Sequence, residues 1–371
     1  MKPVFLQESH IISPIGIGTE ENFLSVHQGI SGIQPKTIHP VLGTTYIAQI
    51  EDSSLQDIFS SLALQEQSSR IEKMAIATLD PIVKNKKPIA NSLLILSTTK
   101  ANVQELSYNP QHGNNIPELA ARLAKHFGFL NPPIVLSNAC VSGVMALSLA
   151  KRYLQMGLCE EAYVLAFDEI SVFIQSGFHA FQALSPEPCK PYDKDRKGLN
   201  LGEAAVACRV SLEKHPDSLR IAGDANINDA NHISGPSRTG EGLYLSITKA
   251  LQEASLQPKD IEYIVAHGTA TLYNDEMEAT AFHRCGLSPI PVASYKANYG
   301  HTLGASGLLE TVLMATCLRK GYLLPTKNFK DLGTSKAIHV LNDGLQKDIS
   351  IALKTASGFA GTNTALILVK E

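Results

Sequence analysis

The 371-residue chain predicts a layered α/β fold with helices packed on mostly buried sheets, assembled from two pseudo-repeated βα halves. The first observation behind this is a series of apolar, β-branched runs at residues 92–96, 134–136, 162–166, 204–210, 261–266, 351–353 and 365–369, with helical patterns such as 144–156 and 308–319 between several of them. Strands this continuously apolar belong in sheets covered on both faces by helices. The second is an echo. Residues 134–166 read as strand, cysteine turn, helix, strand, and 292–324 read as strand, histidine turn, helix and a strand-like GYLLP. Duplication would bring both turns to one side of the molecule, where their side chains meet. The polar segment EKHPDSL marks the expected boundary, giving halves 1–212 and 213–371 joined without a flexible linker.

Bulk properties exclude several function classes. With 44% apolar and 18% charged residues and a net charge of -3, the chain reads as a compact enzyme with no basic field for nucleic acid. No run approaches the roughly 18 apolar residues a membrane span needs. The opening MKPVFLQESHIISP carries Glu8 and His10 where a signal peptide would be apolar, so a cytoplasmic location is expected. The six cysteines form no C-x-x-C pair and no zinc-type spacing, so neither a metal site nor disulfides are expected.

SNACVSGVMALSLAKRYLQMG places Cys140 just before a helix whose Val144, Leu147 and Leu154 face inward. Unpaired N–H groups and the dipole at a helix N-terminus favour a thiolate, whereas the plain alternative is a core cysteine in a strand-to-helix turn. IEYIVAHGTATLYNDEMEA sets His267 after a buried strand, followed by Thr269 and Thr271, with Asp275 and Glu278 opening the next helix. The two hydroxyls on one side of an extended chain suit a polar, amide-bearing arm; a structural histidine at a strand end is the other reading. KANYGHTLGASG repeats the logic around Gly300 and His301, and Gly304, Ala305, Ser306 and Gly307 allow close backbone approach. Lys296, enclosed by small and apolar residues, needs a partner if buried, and Glu278 is the candidate; a surface lysine is the alternative. GFAGTN, with Phe359 and Asn363, forms either a turn that exposes N–H groups under an aromatic cap or an ordinary β-turn before the last strand.

A thiol with two imidazoles suits an acyl thioester held while a second thioester becomes a carbon nucleophile. The ordered set Cys140, His267, Lys296, His301 and GFAGTN resembles the β-ketoacyl-acyl-carrier-protein synthases of the thiolase fold, elongating ketosynthase type. PIGIGTEENFLSVHQGISGI, FHAFQALSPEPCKPYDKDRKGLNLGEAA and DANHISGPSRTGEG extend the resemblance over most of the chain. The resemblance implies a thiolase-like fold, layered α-β-α-β-α, and a decarboxylative Claisen condensation with malonyl-carrier protein, in fatty acid, polyketide or polyene synthesis. By it, Cys140 accepts the acyl group, His267 and His301 polarise the malonyl thioester, and Lys296 organises the site with Glu278, while Asp275 takes another acidic position. Thr269 and Thr271 would line the phosphopantetheine channel. Phe359 would gate the pocket, its N–H joining that of Cys140 as the oxyanion hole.

No cofactor is implied, since the substrates ride on acyl carrier protein; a homodimer is expected, with a heterodimer of homologous subunits as the alternative. The family's carrier-docking helix is similar to SSRIEKMAIATL, where Arg70 and Lys73 lie three residues apart with Ile71, Met74 and Ala75 packing inward; a solvated face is the plain reading. Departures are Ala360 for a glycine, costly if φ is positive, Ser357 for a second phenylalanine, a missing glycine-rich turn after the first strand, and a short chain. Rival readings are a thiolase-like coenzyme A acyltransferase, a silent partner subunit of the chain-length-factor kind, and a cysteine hydrolase.

Overall fold

The computed structural model describes residues 2–62, 68–108, 115–216, 218–230 and 235–371; part of the DANHISGPSRTGEG segment, 231–234, lies outside them. In the first half the sheet strands are β1 (Phe5–Ser13), β2 (Ser92–Ser97), β3 (Ile134–Leu136), β4 (Glu161–Asp168) and β5 (Ala204–Ser211). In the second they are β6 (Leu219–Asn228), β7 (Tyr263–Val265), β8 (Pro291–Ala293), β9 (Ile351–Ser357) and β10 (Thr362–Lys370). Each half runs in the same spatial order, third, second, fourth, fifth, first: β3-β2-β4-β5-β1 and β8-β7-β9-β10-β6. Pairing matches as well. The third, second and fourth strands are parallel, and the fifth is antiparallel to both neighbours. A two-residue ladder, Phe5↔Arg220 and Leu6↔Leu219, links the halves.

The helices needed below are α1 (Arg70–Asn85), α2 (Ser142–Met156), α3 (Val172–Ala180), α4 (Glu241–Ala254), α5 (Leu272–Arg284) and α6 (Ser306–Lys320). Side-chain alternation explains the layers. Along β4, Ala162, Val164 and Ala166 face a central core with α2 and α6, while Tyr163, Leu165 and Phe167 face an outer core with α1. On β10, Leu366 and Leu368 join the central core, and Ala365 and Ile367 face α4 and α5. The middle layer is therefore helical and dry. From Ser306 to Leu318 every residue of α6 is buried, the pattern of a helix hydrophobic all round.

Both helices start two residues earlier than the periodicity suggests, because the small residues Ser142-Gly143 and Ser306-Gly307 continue the helical turn. The final strand of the second echo is different from expectation. Tyr322–Leu323 pairs with Leu345–Gln346 in a separate two-stranded sheet, and the place next to β7 is taken by β9. Its polar Lys354 and Thr355, both fully buried, made β9 read short.

Candidate active site

Two glycine contacts assemble the site. A Cβ on Gly143 of α2 would lie 2.6 Å from the Leu308 nitrogen, and one on Gly307 of α6 would lie 2.8 Å from the Val144 nitrogen. The N-termini of α2 and α6 thus cross backbone to backbone, which places the residues just before them, Cys140 and His301, in contact. Ala139 holds φ at +44°, a left-handed conformation unfavourable for a residue with a Cβ, and this bends the chain so that Cys140 sits at the apex of the turn. Gly300, at φ +66°, lies so close to Leu201 that a Cβ would meet the Leu201 carbonyl at 2.5 Å. Backbone bonds from His301 to Asn200 (2.7 Å) and from Gly202 to His301 (3.0 Å) then tie this turn to the GLNLGEAA segment.

His301 Nε2 lies 2.9 Å from Cys140 Sγ. The Leu303 N–H donates to His301 Nδ1 at 3.3 Å, so Nδ1 is an acceptor and the ring proton belongs on Nε2, facing sulfur. Ser306 Oγ, 2.9 Å from Nδ1, supports the same tautomer. His267 stacks edge to face with His301 at a centroid distance of 5.3 Å. His267 Nδ1 is buried without a protein hydrogen-bond partner among the described residues, which leaves the ring free to bind a ligand. Burial pushes both imidazoles well below their ordinary range, with Lys296 the next largest cause, so both are neutral.

The helix N-terminus does not make Cys140 a resting thiolate. Burial pushes the thiol up to about 11, Asp168 adds to this, and Lys296 and the Phe359 N–H oppose it. The Cys140 sulfur and a ring nitrogen of each of His267 and His301 lie within 4.8 Å of one another.

Lys296 is 1% exposed and confirms the buried reading, but its partner is not Glu278. Its Nζ contacts Glu310 Oε1 at 2.7 Å and donates to the His267 carbonyl at 2.6 Å. Glu278 is occupied by its own turn, accepting from the N–H groups of His267 (2.8 Å) and Gly268 (2.7 Å), the Tyr192 hydroxyl (2.8 Å) and Asn274 (3.0 Å). Asp275 accepts the Tyr192 N–H at 2.7 Å. Burial, with Glu278 adding to it, pushes Asp275 up to about 7 against that bond.

A cavity of about 450 Å³ opens onto Cys140, His267 and His301 and passes Thr269 and Thr271, whose hydroxyls are 2.9 Å apart. The Phe359 ring lies against Phe178 and Phe181, at 5.8 and 5.5 Å. Phe178 in turn meets His301 at 6.5 Å, so Phe359 belongs to an aromatic wall over the thiol. Ala360 takes φ +68°, the left-handed position where its Cβ is costly, and Ser357 donates to Asn363 at 2.7 Å.

Arg70 is not available for docking. Its guanidinium binds Asp52 (2.7 Å), Glu203 (2.7 Å) and the Ile50 carbonyl (2.9 Å), because the buried Glu203 requires a countercharge. Burial with Glu203 pushes Glu169 up to about 8, and Arg70 opposes that rise. Lys73 is half-buried one turn along α1, with Ile71, Met74 and Ala75 packed inward as expected.

Sequence reasoning missed Glu310, Asp168, Phe178 and Phe181. Asp168, at the end of β4, is fully buried and accepts from the Thr99 N–H (3.0 Å), the Gly304 N–H (2.8 Å) and the Thr98 hydroxyl (2.9 Å), binding the loop after β2 to the turn after His301. A single charged residue inside an apolar run, as in LLETVLM or AYVLAFD, was the available signal.

Fold and site together define a thiolase-like layered α/β chain with a cysteine thiol and two imidazoles at one cavity. Residues 89–215 match the model of the β-ketoacyl synthase N-terminal domain, and 220–330 that of the β-ketoacyl synthase C-terminal domain. A Schizosaccharomyces pombe protein named as a mitochondrial 3-oxoacyl-[acyl-carrier-protein] synthase is 24% identical over all of this chain and 99% of its own length. The 3-oxoacyl-[acyl-carrier-protein] synthase 2 of Rhizobium meliloti is 33% identical over 62% of this chain and 59% of that protein. Among solved structures, a chain of the ketosynthase–chain length factor complex from Xenorhabdus doucetiae superposes with a TM-score of 0.86 at 25% identity, covering 99% of this chain and 98% of that one. The chain belongs to the β-ketoacyl synthase family of condensing acyltransferases.

Proposed function

We propose that this chain condenses a Cys140-bound acyl group with a malonyl unit carried on acyl carrier protein. The observation that carries this reading is the 2.9 Å approach of His301 Nε2 to Cys140 Sγ beside a second neutral imidazole, His267. In the first half-reaction the sulfur attacks the incoming thioester; the carrier thiol departs with the proton that Cys140 loses, and the acyl–sulfur bond moves to Cys140. The negative charge on the tetrahedral oxygen falls between the N–H groups of Cys140 and Phe359, and removing one such donor typically costs about 2.7–4 kcal/mol. In the second, malonyl-carrier protein enters past Thr269 and Thr271, and its thioester carbonyl accepts from the two imidazoles. Carbon dioxide leaves with the C–C bond electrons kept as an enolate. The enolate carbon then attacks the acyl carbonyl, and the Cys140 sulfur leaves as the thiol after protonation.

Neutral imidazoles favour this chemistry over the rivals. A hydrolase needs one base beside its nucleophile, whereas here two neutral rings face the same cavity. A silent subunit would have no use for a thiol set 2.9 Å from an imidazole. The site residues named from the resemblance keep these roles, except that Glu310 replaces Glu278 as the partner of Lys296. The boundary between the halves is placed at the loop joining β5 to β6. Acyl carrier protein is the proposed partner, with Lys73 the remaining docking candidate on α1. The ketosynthase–chain length factor complex supports assembly with a homologous subunit, and a second copy of this chain is the alternative. Among the described residues no helix is long and apolar enough to cross a membrane, and we place the protein in the cytoplasm without cofactor.

The test is direct. Incubation with acyl-carrier protein should add one acyl group to Cys140 by intact mass, and subsequent malonyl-carrier protein should release carbon dioxide and a 3-oxoacyl product. Acylation without carbon dioxide release would favour a non-decarboxylating acyltransferase.

A further inference from the structure

Lys354 on β9 is fully buried a short distance behind the two histidines, and the mechanism above gives it no task. Its Nζ is 2.6 Å from Glu310 Oε2 and donates to the carbonyls of Thr355 (2.6 Å) and Ala266 (3.2 Å). Lys296 reaches the other oxygen of the same carboxylate and the next carbonyl, that of His267. Two ammonium groups therefore bind successive carbonyls at the end of β7 and share a single carboxylate. On the other side of this turn, Glu278 accepts the His267 and Gly268 N–H groups and the Thr355 hydroxyl (3.2 Å). The backbone of His267 is thus held from both sides.

We propose that Lys354 is a positioning residue for condensation: with Lys296 and Glu310 it forms a Lys–Glu–Lys triad that fixes the Ala266–His267 backbone and places an unbalanced positive charge behind the two imidazoles. This deepens the reading of the preceding section and rests on it. The charged and titratable groups facing the triad are Glu278 and Asp275 of α5, Tyr192, Cys140, His267 and His301. Lys354 pushes both histidines in the direction that burial and Lys296 already push them, toward the neutral form. Neutrality matters for the proposed step. An imidazolium would pair with the malonyl carboxylate and hold the group that must leave, whereas a neutral ring still donates to the thioester carbonyl.

The experiment uses the full chain with Lys354→Met, and Lys354→Gln as a second neutral variant that retains a hydrogen-bond donor. Histidine ¹³C NMR, assigned with His267→Ala and His301→Ala, reads protonation without substrate. In the wild type both rings should stay neutral well below the ordinary imidazole range. In either lysine variant at least one ring should take up its proton at a higher pH than in the wild type, a proton affinity raised at least about tenfold. The acid limb of carbon dioxide release should move up by the same interval, while acyl loading on Cys140 changes less than about threefold. Lys354→Met with Glu310→Gln leaves one ammonium and no carboxylate, the same surplus charge as the wild type, and should restore the neutral rings.

Rings that stay neutral in folded single variants, or a double variant that fails to restore them, would overturn the charge role. The NMR arm needs no turnover, so its failure refutes Lys354 alone. A wild-type protein that releases no carbon dioxide would refute the reaction assignment instead.

Discussion

Gly307→Ala tests whether the helix crossing, rather than the catalytic residues alone, makes the site. The new Cβ would lie 2.8 Å from the Val144 nitrogen, a backbone atom that cannot rotate away, and ordinary contact begins near 3.4 Å. The N-termini of α2 and α6 must therefore separate by about 0.6 Å. Carried to the side chains, this lengthens the 2.9 Å contact between Cys140 Sγ and His301 Nε2 to about 3.5 Å and weakens it. Overpacking costs typically about 1–3 kcal/mol, equivalent to roughly 1–4 °C of melting temperature in a chain of this length. A misplacement near 1 Å can cost about 100-fold in rate, so the loss expected here is on the order of tenfold. Carbon dioxide release from malonyl-carrier protein, with thermal melting alongside, reads both effects. Gly177→Ala in α3, where a Cβ meets nothing within 4 Å, is the control and should leave the melting point unchanged or slightly higher. Unaltered carbon dioxide release by a Gly307→Ala protein with an unaltered melting point would refute the idea that close backbone contact sets the thiol–imidazole geometry.

Other consequences can be measured together. Cys140→Ala should take up no acyl group, while His267→Ala and His301→Ala should still load but lose carbon dioxide release by roughly 10²- to 10⁴-fold; normal release in both would refute their role. Ala360→Gly should relieve about 1 kcal/mol of left-handed strain in the folded state and change rate or chain-length preference through the Phe359 wall, checked with short and long acyl donors. Glu169 has a folded-state pKa of about 8, raised above its unfolded value of 4.5. The stability it contributes is complete below the unfolded value and is lost as pH rises through about 8, with a slope of up to about 1.4 kcal/mol per pH unit. Glu169→Gln should flatten that fall in chemical denaturation; an unchanged slope would show that Glu169 does not titrate there.

Much of this molecule was legible along the chain, because the nucleophile, both histidines and the lysine each occupy a short segment with local requirements. A glycine or a small residue is needed where backbones touch, and a polar residue must close an apolar strand. Strand-to-helix turns at Cys140 and His301, and the inward faces of α1 and α2, follow from periodicity and side-chain size alone. Tertiary structure alone decided which charges pair. Lys296 could have reached Glu278 or Glu310 by any local argument, and the choice came from packing α6 against β9, which presents Glu310 to two lysines while Glu278 is saturated by its own turn. Arg70 likewise reads as a surface cation in its helix and becomes internal only when Glu203, distant in sequence, folds beneath it. The thiol followed the same rule. A helix N-terminus favours the thiolate, but the depth of burial, which no local segment encodes, pushes Cys140 the other way. Hydrophobic pattern is a short-range property, so the chain shows it directly. Desolvation and ion pairing depend on every group that closes around a charge, and those groups meet only in the folded protein.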